Sequence, residues 1–566
     1  MKKIIDFLKN ISVAQLVLIL SILILVIIVA VPVLLILFTA FFENGKLNVA
    51  GVVKVLSDKD TYSALLNSLI IAIGTTFIST LFGVFFAWLV ARTDLPFKKF
   101  MKIMFLVPFM LPSFIGALAW KILLSPNAGY INRLFVKIFN LSSSPIDIMT
   151  MGGIIAIESM YLFPFVFLQV TSALERMDPT LEESARISGA GLFKITTKIT
   201  LPLVLPSILA GALLVALYSL AHFGVPAILG TEKGIYNIPT KIYERIYASA
   251  GSFSAIRIGT ILSTILVISA ALILKAQSML LKRGKFQIIA GKSMRPVVLK
   301  LRGLKTPLFI FCIIYIGITV ILPTVTIFFI GGLKTYGLPI ALESLTWENY
   351  IEIFKWKMTK DSIINSIYLS LSSAFVTMLV GVMISYVIVK MKVKGKFIIE
   401  FLGVLPFSLP GTVIALGVIL TWSGRFGINL YNTAGIIFVA YIARYMAFSL
   451  KSNSAALEQV SDSLEEASRA CGATHWQTLK NIVFPLVRPG MISAFFLIFL
   501  PALRELTTSV LLYGPKTRTI GVAIYALNED GETVRAAALA SVTLVIIFLA
   551  ESLIRYFISK LQKQEQ

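Results

Sequence analysis

Cysteine is nearly absent from these 566 residues (Cys312 and Cys471), and so is histidine (His222 and His475). Two isolated thiols, one inside an apolar run, exclude a disulfide framework and give no metal-ligand spacing. Two distant histidines with no nucleophile–base set beside them leave no constellation for an enzyme active site. Charge is scarce as well: 14% of residues are charged against 57% hydrophobic, at a mean hydropathy of +0.89. A soluble domain carries about 25% charged residues, so most of this chain must be solvated by lipid. No Gly-x4-Gly-Lys-Ser/Thr phosphate loop occurs, so no nucleotide or other cofactor is expected on the chain itself. The net charge of +23 would suggest nucleic acid in a soluble protein. Here the basic residues lie in short loops beside apolar runs, where they set membrane orientation, and no nucleic-acid partner is expected.

What is abundant is long apolar sequence. A hydrocarbon core ~30 Å thick needs about 20 apolar helical residues. Runs that meet this lie near 16–41, 64–91, 103–124, 151–173, 204–223, 258–281, 307–330, 362–389, 398–422, 434–450, 490–512 and 534–557. The first is too long for a signal peptide's core and has no small-residue cleavage site, so it reads as a retained span. Twelve spans put both termini on one side. The segment 282–305, with eight basic residues and no acid, makes that side cytoplasmic.

The chain repeats itself. Leu181-Glu182-Glu183-Ser184-Ala185-Arg186-Ile187-Ser188-Gly189-Ala190 matches Leu464-Glu465-Glu466-Ala467-Ser468-Arg469-Ala470-Cys471-Gly472-Ala473 at an offset of 283. Asn67-Ser68, Gly83 and Pro108-Phe109-x-Leu111-Pro112 recur as Asn365-Ser366, Gly381 and Pro406-Phe407-x-Leu409-Pro410 at an offset of 298. The change of offset places 15 extra residues in the first half, around 127–148. The expected fold is therefore an all-α membrane protein of twelve transmembrane helices in two parallel six-helix repeats. Residues 1–281 form the first half, 282–306 a basic cytoplasmic linker and 307–566 the second half.

Each repeat carries one polar cytoplasmic loop, 174–203 and 451–489. Thr180-x-x-Glu183 and Ser463-x-x-Glu466 read as capping boxes. Gly189 and Gly472 suit a left-handed residue closing a short helix. Two stubby helices with a sharp bend, kept in both halves, predict an element docked twice by a partner with two equivalent faces. Ala185 and Gly189, one turn apart, allow close approach.

The pattern Glu-x-Ala-x3-Gly-x9-Ile-x-Leu-Pro, complete from Glu183 to Pro202 and altered only at Ser468 and Phe484 in the second copy, resembles the coupling-loop signature of permease subunits of bacterial ABC importers. A fused pair of six-span halves is similar to the ferric-iron type permeases and their thiamine and aminoethylphosphonate relatives. The resemblance implies two cytoplasmic ATP-binding subunits docked at Glu183, Ala185, Gly189, Glu466, Ala467 and Gly472. It also implies an external or lipid-anchored substrate-binding protein, a bacterial inner-membrane location, and transport by alternating access. The chain would be a transport subunit and not an enzyme.

Charges within the spans each demand a reason, at roughly 2.5–3.5 kcal/mol apiece on insertion scales. Glu158, His222, Arg444, Arg504 and Glu505 are the candidates for a translocation path. The structural alternative is a bridge from Arg444 to Glu505 or from Glu158 to Arg504. Residues 504–512, Arg-Glu-Leu-Thr-Thr-Ser-Val-Leu-Leu, resemble the corresponding segment of ferric-iron permeases and point to iron as cargo. Thiamine, a polyamine or aminoethylphosphonate are the alternatives. A twelve-span secondary transporter is the competing class, but it has no use for two matching docking loops.

Overall fold

The computed structural model describes residues 13–43, 45–178, 180–248, 253–283, 298–338, 341–391 and 393–564. Most of the basic linker lies outside them. Among the described residues, ten helices are long and apolar enough to cross a membrane, and two further pairs qualify jointly but are sharply bent. In the first half they are α1 (Gln15–Phe41), α2 (Lys59–Arg92), the bent pair α3 (Lys98–Met110) and α4 (Ser113–Leu124), the amphipathic α5 (Tyr130–Phe139), α6 (Met151–Arg176), the short α7 (Thr180–Ile187), α8 (Phe193–Leu220), α9 (Ile238–Ala248) and α10 (Phe253–Arg283). The second half runs α11 (Arg302–Gly331), α12 (Lys357–Lys390), the bent pair α13 (Lys396–Ser408) and α14 (Gly411–Trp422), α15 (Ala434–Glu458), α16 (Asp462–Ala470), α17 (His475–Leu503), α18 (Ile520–Glu529) and α19 (Thr533–Gln564).

The runs at 103–124 and 398–422, expected as straight spans, bend by 91° and 115°. The cause is the repeated Leu-Pro. Leu111 and Leu409 are extended, with ψ of 139° and 141°, as the residue before a proline prefers. Pro112 and Pro410 then open α4 and α14 without having to donate. Prolines also explain four five-residue π-turns, at Val26–Ala30, Thr196–Thr200, Gly317–Ile321 and Leu479–Val483. Each ends two residues before a proline (Pro32, Pro202, Pro323, Pro485). The ring crowds the carbonyl four residues back, and the widened turn accommodates it.

The repeated small residues mark helix crossings. A Cβ on Gly83 would stand 2.6 Å from Cβ of Val166, and one on Gly381 would stand 2.0 Å from Oγ of Ser449. The same α2–α6 and α12–α15 approach is thus made in both halves, as membrane helices commonly pack. The Asn-Ser pairs fasten the shorter helices. Ser68 Oγ accepts from Ile238 N and Ser366 Oγ from Ile520 N, both at 2.7 Å, while Asn67 and Asn365 donate to the loop carbonyls of Tyr236 and Lys516. The extra residues of the first half supply α5, where the second half has only the short connection 423–433.

One arrangement was not legible in the sequence. The first part of each half's first helix packs on the other half, while the second part also meets the last helix of its own half. Leu25 and Val29 of α1 join the core of Ile384, Ile399, Ile442 and Met446. Cys312 and Ile316 of α11 complete the core of Phe86, Phe105, Phe163 and Val166. The covalent division at 282–306 is therefore not the division of the packing.

Candidate functional site

Both fifth helices stop before their polar residues. α8 ends at Leu220 and α17 at Leu503, and short helices resume at Gly224–Leu229 and Ser509–Leu512. This corrects the expectation that Arg504 and Glu505 sit on a continuous helix. They lie on a break, where irregular backbone at membrane depth is tolerated because it lines a cavity.

That cavity, about 230 Å3, lies between the halves. Phe109, Ser113, Tyr161, Phe165, Tyr218 and His222 come from the first half, and Phe407, Arg444, Tyr445, Phe448, Arg504 and Glu505 from the second. Four of the five anticipated charged residues reach its wall, while Glu158 sits behind it, 0% exposed. Glu158 receives Ser219 at 2.6 Å, and its other oxygen lies 3.0 Å from His222 Nδ1. His222 Nε2 is 2.8 Å from Ser113 Oγ. Glu505 pairs with Arg444 Nε at 3.3 Å and accepts from Tyr445 (2.7 Å) and from the Thr508 N–H (2.7 Å). Of the two bridges considered, Arg444–Glu505 forms. Glu158–Arg504 does not, because His222 takes Glu158 and Arg504 crosses to the other half.

Arg504 donates to the carbonyls of Phe109 and Met110, and its guanidinium lies 5.7 Å from the Phe109 ring. The bend at Pro112 leaves those carbonyls at a helix C-terminus, where they lack helical donors. Nε and Nη2 of Arg504 have no hydrogen-bond partner among the described residues. With both carboxylates and both imidazole nitrogens engaged, the polar groups the cavity offers are the Arg504 guanidinium and the unpartnered Tyr161 hydroxyl. Phe109 and Phe407, the repeated Pro-Phe positions, flank it: Phe109 meets Phe165 at 5.0 Å, Phe165 stacks on Tyr218 at 4.6 Å, and Tyr218 meets Phe407 at 6.0 Å. The aromatic chain closes across the junction.

The polar loops hold the other candidate residues. Glu183 and Glu466 are exposed, as are Gly189, Ala467 and Gly472, and Ala185 is half-buried. Gly189 and Gly472 have φ of +78° and +83°. Ala190 N bonds Ala185 O and Ala473 N bonds Ser468 O, the six-to-one closure expected around a left-handed glycine. Neither anticipated capping box forms. The N-cap of α16 is Ser461, whose Oγ accepts from Ser463 N, and Thr180 already lies within α7. Ser461, Asp462 and Ser463 are all competent caps, and the choice sets which glutamate turns inward. A reciprocal box does form at Thr474 and Gln477, opening α17.

Sequence reasoning passed over the inward glutamates. Glu182 and Arg92 pair at 3.5 Å with both side chains 0% exposed, and Thr200 donates to Glu182 at 2.6 Å. In the second loop Glu465 accepts from Tyr386 (3.0 Å) and lies 3.8 Å from Lys390, which also reaches Asp462 at 2.6 Å. Also missed were the exposed apolar residues Ile187 and Phe193, 88% and 81% exposed, and Trp476, 58% exposed. Phe193 and Trp476 are equivalent positions, which the offset of 283 would have revealed.

The chain belongs to the family of binding-protein-dependent transport system inner membrane components, whose model matches twice, at residues 79–282 and 377–563. It is a multi-pass membrane protein of the ABC importer class. The ferric transport system permease protein FbpB of Actinobacillus pleuropneumoniae is 28% identical over 519 residues, 90% of this chain and 73% of that protein. A putative ferric transport system permease protein FbpB 1 of Haemophilus influenzae is 26% identical over 86% of this chain and 76% of its own length. A putative 2-aminoethylphosphonate transport system permease protein PhnV of Salmonella paratyphi A is 26% identical over 33% of this chain and 71% of its own.

Proposed function

We propose that this chain is the permease of an ATP-driven, binding-protein-dependent importer of ferric iron, working by alternating access. The carrying observation is the likeness to ferric transport permeases along 90% of the chain, a span that takes in both halves and both polar loops.

The reading has twelve crossings. Arg92 at the end of α2 pairs with Glu182 in the loop that follows α6, so those two helix ends share a side. Met151 at the start of α6 then faces the opposite side, and the bent pair α3–α4 must carry the chain across. Lys390 and Asp462 support the same argument for α13–α14. Leu299 N bonds Arg92 O, and Leu301 N donates to Asp94 at 2.8 Å, a bond that holds the Asp94 carboxyl below its usual range. The end of the basic linker thus lies on the side of both loops, which the linker's charge makes cytoplasmic, with both termini there too.

On that side stand α7 and α16, presenting Glu183 and Glu466, each followed by a left-handed glycine and, at the start of α8 or α17, by Phe193 or Trp476. An exposed aromatic beside a charged helix face fits a groove on a protein partner. Two such elements fit two ATP-binding subunits. Closure of those subunits would rock the halves about the junction where Arg504 and the aromatic chain lie. Delivery would come from an external binding protein.

Glu505 and Glu158, candidates for the translocation path, have their oxygens engaged, and their role in this reading is to hold Arg444 and His222 in place. The guanidinium-lined cavity favours one second reading, an organophosphonate cargo. Deleting the permease should abolish uptake of radiolabelled ferric iron in iron-limited cells and leave aminoethylphosphonate uptake intact. The reverse result replaces iron by the phosphonate. Uptake that follows a proton gradient and ignores ATP overturns the importer itself.

A further inference from the structure

Five tyrosines gather where the two halves meet, beyond the central cavity. Tyr236, Tyr243 and Tyr247 come from the approach to α9 and from α9 itself, and Tyr513 and Tyr525 from the approach to α18 and from α18. The Tyr243 ring stacks on Tyr247 at 5.4 Å and meets Tyr525 at 5.9 Å. Tyr513 and Tyr247 interact through their hydroxyls. The hydroxyls of Tyr236, Tyr243 and Tyr525 have no hydrogen-bond partner among the described residues, and Glu529 on α18 interacts electrostatically with all three. Tyr525 alone of the five is buried, the others being half-buried or exposed, so their hydroxyls remain available to a ligand.

Membrane proteins place tyrosines in an interfacial belt, and Tyr62 and Tyr368, both largely exposed, fit that description. The cluster does so only at its rim, where Tyr247 is 66% exposed. Tyr525 is 3% exposed, and the cluster is seated on Phe223, whose ring is 5.4 Å from Tyr243 and 5.7 Å from Tyr525. Phe223 directly follows His222 of the cavity wall, and Asn237 ties the two segments by donating to His222 O at 2.7 Å. By the topology argued above, α9 and α18 lie toward the external side, so the cluster stands between the outside and the cavity.

We propose that Tyr243, Tyr247, Tyr513 and Tyr525, with Glu529, form a receiving site for Fe(III) at the external mouth of the permease. The site rests on the ferric reading of the cargo. Hard cations select oxygen donors over nitrogen or sulfur. Phenolate and carboxylate supply those donors here, while the carboxylates nearer the cavity are engaged. Each phenol that binds gives up its proton to solvent, as metal ligands must. Arg518 lies 5.6 Å from the Tyr513 ring, and Lys121 interacts with Glu529. These cations oppose a tight hold on Fe(III), which a transient site requires. Ligands come from both halves, so a movement of one half against the other would disperse them and release the ion.

The test uses the full chain in lipid nanodiscs, titrated with ferric nitrilotriacetate. Iron bound to tyrosinate gives a phenolate-to-metal charge-transfer band in the visible. The wild type should develop it. Y243F/Y525F, which keeps the rings, should lose it and weaken iron binding by about tenfold or more, since disturbing even the outer partners of a metal ligand costs about 10–100-fold. Y247F and Y513F, at the rim, should weaken the band without disturbing the packed rings, and Y62F and Y368F should leave it unchanged. No band in the wild type, or a band that survives in Y243F/Y525F, overturns the receiving site. Radiolabelled iron uptake by cells separates the two ideas. Permease-dependent uptake without the band removes the site and leaves the ferric cargo, whereas permease-independent uptake removes the cargo assignment as well.

Discussion

The two halves solve one problem with opposite charges. In the first, the acid is on α6 (Glu158) and the base follows α8 (His222). In the second, the base is on α15 (Arg444) and the acid follows α17 (Glu505). At the offset of 283, Glu158 corresponds to Tyr441, Tyr161 to Arg444, and His222 to Glu505. Both pairs brace a broken helix against its neighbour, so the brace was kept while its polarity was reversed. The loops differ in the same manner. Glu182 meets an arginine with no exposure, while Glu465 meets a lysine and a tyrosine beside exposed Asp462. Backbone approach and turn geometry are held in common across the duplication, and the charges that decorate them are not.

The sharpest way to break that comparison is at the two inward glutamates. Glu182→Ala leaves Arg92 buried and unpaired, a loss of about 3–5 kcal/mol. Glu465→Ala leaves Lys390 its Asp462 and Val460 partners, and should cost about 1–3 kcal/mol. Thermal unfolding and yield in detergent measure both, and equal losses would mean that the tethers are equivalent after all. Next come the helix crossings. Gly83→Ala meets Val166 and two backbone atoms of α6 that cannot turn away, with the overpacking cost of about 1–3 kcal/mol. Gly381→Ala meets Ser449, whose Oγ can rotate away but whose Cβ, 2.4 Å from the added methyl, cannot, so its unfolding midpoint should fall at least as much. The smallest effect on stability is expected at the loop glycines. A Cβ on Gly189 or Gly472 meets nothing within 4 Å, leaving only left-handed strain of roughly 1–2 kcal/mol. That strain is confined to two exposed turns, so Gly189→Leu with Gly472→Leu should leave insertion and the folded bundle intact while removing stimulation of the partner ATPase. Full stimulation in that variant would refute docking at these loops.

Much of this was legible in sequence because the chain states it twice. Hydropathy located the spans, and the offsets located the left-handed glycines, the repeated Leu-Pro and the inserted segment that became α5. What escaped were contacts between residues far apart in the chain. Nothing in residues 15–41 says that they pack on α13–α15, since a span that is apolar all round carries no direction. Periodicity carried α17 past Leu503 because apolar sequence continues through the break. The capping frame was misjudged because the deciding term, burial of Glu465, is tertiary. The tyrosine cluster was hidden for the same reason: its members are scattered from 236 to 525 and converge only when the halves meet.

The exchange of first helices bears on how the protein is made. α1 leaves the ribosome roughly 300 residues before the helices it packs against, and at ~5–20 residues per second that is a wait of about 15–60 s. During that interval its leading part must sit in lipid without its protein partner. α1 and α11, the two exchanged helices, are also the two most apolar of the straight candidate spans. The greasiness of α1 suits that wait, whereas α11 emerges after its partners in the first half, and a polar substitution on α1 would be felt first as a failure of insertion, before any finished transporter exists to be impaired.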